Sequence, residues 1–540
     1  MKPRPALIAL GLAVAVTAAA PLAAQVTFDR ILNAEREPAN WLSYSGTVSN
    51  QRYSKLDQVT AANAKDLKLQ WIWQARSLEK FEATPLVVDG VLYTVQAPNE
   101  VVALDAATGR ILWTFPFEPT ADARTCCGRV NRGLAILGDT LYMGTLDAHL
   151  LAIDAKSGQL IWNATVASAA DRYSITMAPV VVKDKVLIGT AGGDMGIRGV
   201  IAAFDALSGK EVWRIHTIPG PGEVGSDTWA GDSWKEGGAA VWNAGAYDSQ
   251  TNLVFFGTGN PAPDWDGRGR AGDNLYSNCV LALDADTGKL KWYYQFTPHD
   301  EIDYDSTQVP VLADITWQGE PRKLMLWANR NGVMYVLDRV TGKFLLGKAY
   351  VEVNWMDGFD ANGRPHKTAA QPSKEGTLMR PHVHGATNWA PPSYSPKTGL
   401  FYVAHWEHSG IIAIQGEFPQ AVGINSRQTQ MGQTNLLPFF NNADEAYGVI
   451  RAYDPQTLEP KWEYRMADIT WGGVLSTAGD LVFGGGKEGY FVALDARSGK
   501  ELWRMPVGGQ VNSGPMSYSV RGKQYVAIAA GSALFAFALP

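Results

Sequence analysis

An aspartate stands eight residues ahead of a tryptophan five times in this chain, each time with Thr/Ser-Gly between them. The pairs are Asp105 and Trp113, Asp154 and Trp162, Asp205 and Trp213, Asp284 and Trp292, and Asp495 and Trp503. Apolar residues with an alanine precede each aspartate, as in Val102-Ala103-Leu104-Asp105. Three weaker copies keep the frame: Asp338 to Leu346, Asp454 to Trp462, and Asn63 to Trp71, where Asp66 replaces the small hydroxyl residue. An apolar run, an Asp-capped turn with Gly supplying positive φ, and a second run make a strand-turn-strand. Further hairpin signals lie between the copies, such as Asp89-Gly90 inside Pro85–Thr94, and again across Ala178–Thr190 and Gly473–Gly484. A multi-strand unit repeated roughly every 40 to 50 residues is a propeller blade. The eight frames predict an all-β, eight-bladed β-propeller with tryptophan docking between blades. A closed ring is favoured over an open solenoid because it leaves only short, protected strand edges. Closure is expected from both chain ends, the region before Trp71 and the run Gln524–Ala538.

Spacing locates the insertions. Trp113, Trp162 and Trp213 are 49 and 51 residues apart, whereas Trp213 to Trp292 spans 79 and Leu346 to Trp462 spans 116. Long loops on a repeat scaffold tend to gather on a functional face. Residues Trp355, His382, His384, Trp406 and Phe418 of the longest insertion are expected to shape a substrate mouth. At the N-terminus, Lys2 and Arg4 precede an apolar run from Ala6 to Ala20 and the small residues Ala23 and Ala24. This reads as a secretory signal peptide, residues 1–24, leaving 25–540 as a single propeller domain without a membrane span. Export to the periplasm follows. The formal net charge of −6 is scattered, which argues against a nucleic-acid partner. No Cys-x-x-Cys-His occurs, so no attached c-type haem is expected. Cys126 and Cys127 are adjacent; they form either a vicinal disulfide, which an oxidising compartment favours, or a pair of thiols. Cys279 is left over and is expected to be buried on a strand.

With these features in place, the sequence resembles the pyrroloquinoline quinone (PQQ)-dependent alcohol dehydrogenases over nearly its whole length. The Asp-to-Trp repeat is similar to that family's docking motif. The resemblance implies that a Cys126–Cys127 disulfide lies flat on one face of the quinone, with Trp242 stacked on the other. It implies cofactor contacts from Glu82, Arg132, Thr176, Ala191, Gly192, Gly193, Asn388 and Trp471. It assigns metal binding to Asp194, Asn260, Asp303 and Asp305. It gives Asp303 the role of catalytic base and makes Arg330 the cation beside the reactive carbonyls. Oxygen ligands of this kind suit a hard cation. The implied activity is oxidation of an alcohol to an aldehyde or ketone, with electrons passed to an external acceptor such as a cytochrome c.

The sequence departs from the family pattern in three places. Asp194 stands where the family usually has a glutamate, one methylene longer. Asp305, two residues after Asp303, resembles the lanthanide-using branch, so calcium and a lanthanide both remain open. Ala529-Ala530-Gly531-Ser532 replaces the usual Gly-rich, Trp-containing ending near the cofactor. A competing reading is a non-catalytic propeller scaffold of the outer-membrane assembly type. It accounts for the repeat and the leader but not for Cys126–Cys127, Trp242, Asn260 or Asp303.

Overall fold

The computed structural model describes residues 25–414, 434–437 and 446–540. The predicted leader and Phe418 lie outside the described residues. The described chain is almost entirely antiparallel sheet and forms the eight-bladed β-propeller that the repeat predicts. The first blade is Leu86–Val88, Val91–Gln96, Glu100–Asp105 and Ile111–Phe115, paired in chain order. Six more four-stranded blades repeat the meander, beginning at Ala135, Val180, Ala246, Val311, Ser393 and Leu475.

The eighth blade closes the ring. Its first three strands are Met516–Val520, Lys523–Ala530 and Ala533–Ala538, and its outermost strand is Lys68–Gln74 from the other end of the chain. Closure by both termini is as expected, but the strand contains Trp71 instead of ending before it. The short strand that does precede it, Tyr53–Ser54, pairs in parallel with Leu475–Thr477 of the seventh blade. Cys279 is buried at the start of the strand Cys279–Asp284.

The repeat explains how blades dock. In the full copies the aspartate carboxylate accepts hydrogen bonds from the backbone and hydroxyl of the Ser or Thr three residues on, as Asp205 does from Ser208. The following glycine sits at φ between 69° and 75° in six copies. Each such glycine lies under the indole of the preceding blade; a Cβ there would approach that ring to 2.4–2.7 Å. The indole N–H then donates to a backbone carbonyl of the next turn: Trp71 to Ala106, Trp113 to Ala155, Trp162 to Ala206, Trp213 to Ala285 and Trp462 to Ala496. Trp292 keeps its stack on Gly342, but its indole N–H has no acceptor. The imperfect copies follow the same logic. Where Leu346 replaces the tryptophan, the partner position needs no glycine and is Leu458, at φ 56° and buried in the same cluster. Trp503 meets the 3-10 turn Ala64–Asp66 and donates to Leu67.

A candidate site on the propeller axis

The innermost strands of neighbouring blades touch one another, so the residues just ahead of them converge on the axis. Those segments carry Glu82, Arg132, Thr176, Trp242, Asp305, Asn388 and Trp471 in seven successive blades. Loops following the second strand of a blade supply the rest: Ala191–Asp194, Asn260 and Arg330. Asp303 lies two residues before Asp305, and the two cysteines lie in the long connection between the first two blades, the same one that carries Arg132.

Arg132 organises one side. Its guanidinium pairs with Glu82 at 2.8 Å and donates to Thr176 Oγ1 at 2.8 Å and to the Trp242 carbonyl at 3.2 Å. It also lies over the rings of Trp242 and Trp389, 4.8 and 5.6 Å from their centroids. Both members of the ion pair are buried; burial pushes the Glu82 carboxyl up, against the pull of Arg132. Trp389 stacks on Trp471 at 4.7 Å and 5°, and the edge of Trp406 meets Trp471. Asn388 is buried nearby, its amide 3.5 Å from the His384 carbonyl.

Cys126 and Cys127 are disulfide-bonded, and Cys127 is exposed. A carboxylate oxygen of Asp194 lies within 4.8 Å of both sulfurs. Asp194 sits in the 3-10 turn Gly193–Met195. Gly192 enters that turn at φ 117°, where a Cβ would meet the Arg172 carbonyl at 2.5 Å. The small side chain is thus demanded by the protein's own backbone.

Asp303 and Asp305 face Arg330. Its two terminal nitrogens donate separately to Asp303 Oδ2 and Asp305 Oδ2, each at 2.7 Å. Asp305 Oδ1 accepts from the Asn260 N–H at 2.8 Å. Asp303 is held in a left-handed conformation, φ 70°, and its Oδ1 is buried without a hydrogen-bond partner. Asp300 braces this loop: it accepts from Ile302 N, Tyr304 N and Asn278 Nδ2 at 2.9, 2.7 and 2.9 Å. Burial raises both site carboxyls, opposed by Arg330 and reinforced by neighbouring aspartates; Asp305 is pushed up to about 6.

Sequence reasoning missed two residues here. Asp300 precedes Asp303 by three positions and looks like one acidic residue among several. Asp264 is 0% exposed and accepts from Asn260 Nδ2 at 2.7 Å. Its only signal was a spacing of four after Asn260. The expected mouth is also revised. Trp355 and Trp406 are both 0% exposed and belong to the packing. Trp355 packs against Tyr304 and donates to the Asn331 carbonyl. Of the named mouth residues, His384 is exposed and His382 half-buried, and their rings meet at 5.1 Å.

Comparison with known proteins is consistent with this arrangement. The family described as "PQQ: Glucose/ethanol/alcohol dehydrogenase, beta-propeller domain" matches residues 41–357 and 444–526. The quinohemoprotein alcohol dehydrogenase ADH-IIG of Pseudomonas putida is 39% identical over 97% of this chain and 77% of its own. The quinoprotein alcohol dehydrogenase PedH of Pseudomonas putida is 36% identical, over 98% of this chain and 92% of its own. A solved europium-containing methanol dehydrogenase superposes with a TM-score of 0.88 at 31% identity, covering 95% of this chain and all of that one.

Proposed function

The chain belongs to the PQQ-dependent dehydrogenases, and from that premise we propose how its residues oxidise an alcohol. It is an alcohol dehydrogenase of the quinoprotein type. The observation that carries the mechanism is the state of Asp303. One oxygen is pinned by Arg330, and the other is buried without a partner beside further oxygen donors. An unpaired buried carboxylate oxygen is costly unless a ligand or a proton meets it. This supports a site completed by a hard cation and a substrate hydroxyl. Arg132 Nε is likewise buried without a partner, as suits an anchor for a ligand carboxylate.

A bound quinone would supply the acceptor for the hydride equivalent that leaves the alcohol carbon, and a bound cation would supply a Lewis acid. Asp194, Asn260, Asp303 and Asp305 would hold the cation through oxygen, whether calcium or a lanthanide. Asp303 removes the hydroxyl proton at Oδ1 as general base. Arg330 keeps Asp303 aimed and offers positive charge where negative charge develops. Arg132, Thr176 and Glu82 orient the cofactor from one side. Trp242 and the Cys126–Cys127 disulfide would hold its two flat faces, and Asn388 and Trp471 would make further contacts.

A periplasmic location with a cytochrome c as acceptor is part of this reading. Among the described residues no helix is long and apolar enough to cross a membrane. The test is reconstitution: purified protein supplied with PQQ and either calcium or a lanthanide should reduce a dye in the presence of primary, secondary or aromatic alcohols. No turnover with either ion across that panel refutes it.

A further inference from the structure

The family resemblance assigns no role to Asp264. It is fully buried, four residues after Asn260. Its Oδ1 takes the Asn260 amide nitrogen, which also donates to the Pro261 carbonyl at 3.2 Å. With both amide hydrogens directed that way, Asn260 Oδ1 is turned toward Gly193, where a Cβ would lie 3.6 Å from it. Gly193 adjoins Asp194, so the amide oxygen is directed at the turn that carries that carboxylate. The other oxygen of Asp264, Oδ2, is buried with no hydrogen-bond partner. Asp264 also lies within electrostatic reach of Asp194, Asp303 and Asp305, and of the buried Arg270.

We infer that Asp264 is a working part of the cation site, fixing the Asn260 carbonyl toward the ion and adding a fourth carboxylate that favours a trivalent over a divalent cation. This rests on the metal-site reading above. Arg330 and Arg270 offset part of this negative charge, and removing Asp264 takes one carboxylate charge away whatever that offset is. Asp194 reaches less far than a glutamate would, and Asp264 adds a carboxylate behind Asn260. A buried partner that orients a ligand typically changes metal affinity about 10- to 100-fold when removed.

The test measures ion binding, not turnover. Purified protein with PQQ added is titrated with terbium, read by tryptophan-sensitised luminescence, and with calcium by competition. The parent should bind terbium more tightly than calcium. Asp264→Asn keeps an acceptor for Asn260 but loses the charge. It should weaken terbium by about tenfold or more and calcium by less. Asp264→Ala loses both functions and should weaken both ions. If the variants retain the parent's unfolding temperature and bind terbium as the parent does, the inference is overturned while the metal site stands. If Asp264→Ala does not fold, Asp264→Asn alone decides. A parent that binds neither ion refutes the metal-site reading and the inference together.

Discussion

Replacing Asp300 by asparagine should slow catalysis without touching the reacting atoms. Asp300 is 1% exposed and accepts three hydrogen bonds, two at Oδ2 and one at Oδ1. An asparagine keeps its oxygen where two bonds meet, at Tyr304 N and Asn278. Its NH2 group then faces the Ile302 N–H, donor against donor. A buried donor left unsatisfied costs about 1–3 kcal/mol. Asp303, the next residue after Ile302, is held at φ 70°, a conformation that costs a non-glycine residue about 1–3 kcal/mol and persists only when its surroundings enforce it. Releasing the brace lets Asp303 leave that conformation, so kcat/KM should fall about 5- to 150-fold, at 1.4 kcal/mol per factor of ten. The assay is dye-linked alcohol oxidation by protein reconstituted with PQQ and saturating metal, beside a terbium titration and a thermal melt. Metal is kept saturating so that kcat/KM reports the base, and because Asp303 is also placed among the metal ligands the terbium titration reads how much of the loosening reaches the ion. A folded Asp300→Asn protein with kcat/KM within twofold of the parent refutes the bracing argument.

Gly209→Ala and Gly508→Ala separate backbone strain from blade docking. Their φ values are 69° and 70°, but a Cβ at Gly209 would lie 2.7 Å from Trp162, whereas Gly508 faces nothing within 4 Å. Both pay about 1–2 kcal/mol for the left-handed conformation. Gly209→Ala adds overpacking of about 1–3 kcal/mol and should melt measurably lower; equal melting shifts would refute the docking account. A third prediction concerns pH. Burial raises the Asp248 carboxyl, but its hydrogen bond and charge interaction with Arg339, at 2.9 Å, outweigh that and hold it below the usual range. The stability it contributes is therefore present above the unfolded value of about 3.9 and is lost as pH falls through the lower folded value. Asp248→Asn should melt lower at pH 7 and lose less on acidification below about pH 4 than the parent; parallel curves would contradict this.

The blades were legible because their signal is local. An Asp cap, a glycine at positive φ and an indole on the following strand lie within nine residues, and short-range sterics and hydrogen bonds fix their meaning wherever they occur. The two defects go together: Leu346 and Leu458, which replace a tryptophan and a glycine of the repeat, pack in one apolar cluster. Closure was also foreseeable, since a count of eight frames leaves the two chain ends to share a blade. The strand bounds around Trp71 were not, because the degenerate copy at Asn63 gives no turn signal.

For the site, residue types in a known order pointed to Asp303, Arg330, Asn260 and their neighbours. Sequence order could not say how they touch. That Arg330 bridges Asp303 and Asp305, 27 and 25 residues away in the chain, depends on bringing separate segments to one axis. Trp355 and Trp406 looked like mouth residues by position and proved to be core, since burial is a property of the assembled blades. Asp264 was unreadable for the same reason: an aspartate in a Gly/Pro-rich loop is ordinarily a turn former. The sequence alone determined the propeller and pointed to most of the residues that gather on its axis. Only the tertiary structure decided which carboxylates are spent on Arg330 and the backbone and which keep an oxygen free, because that division depends on distances between residues far apart in the chain.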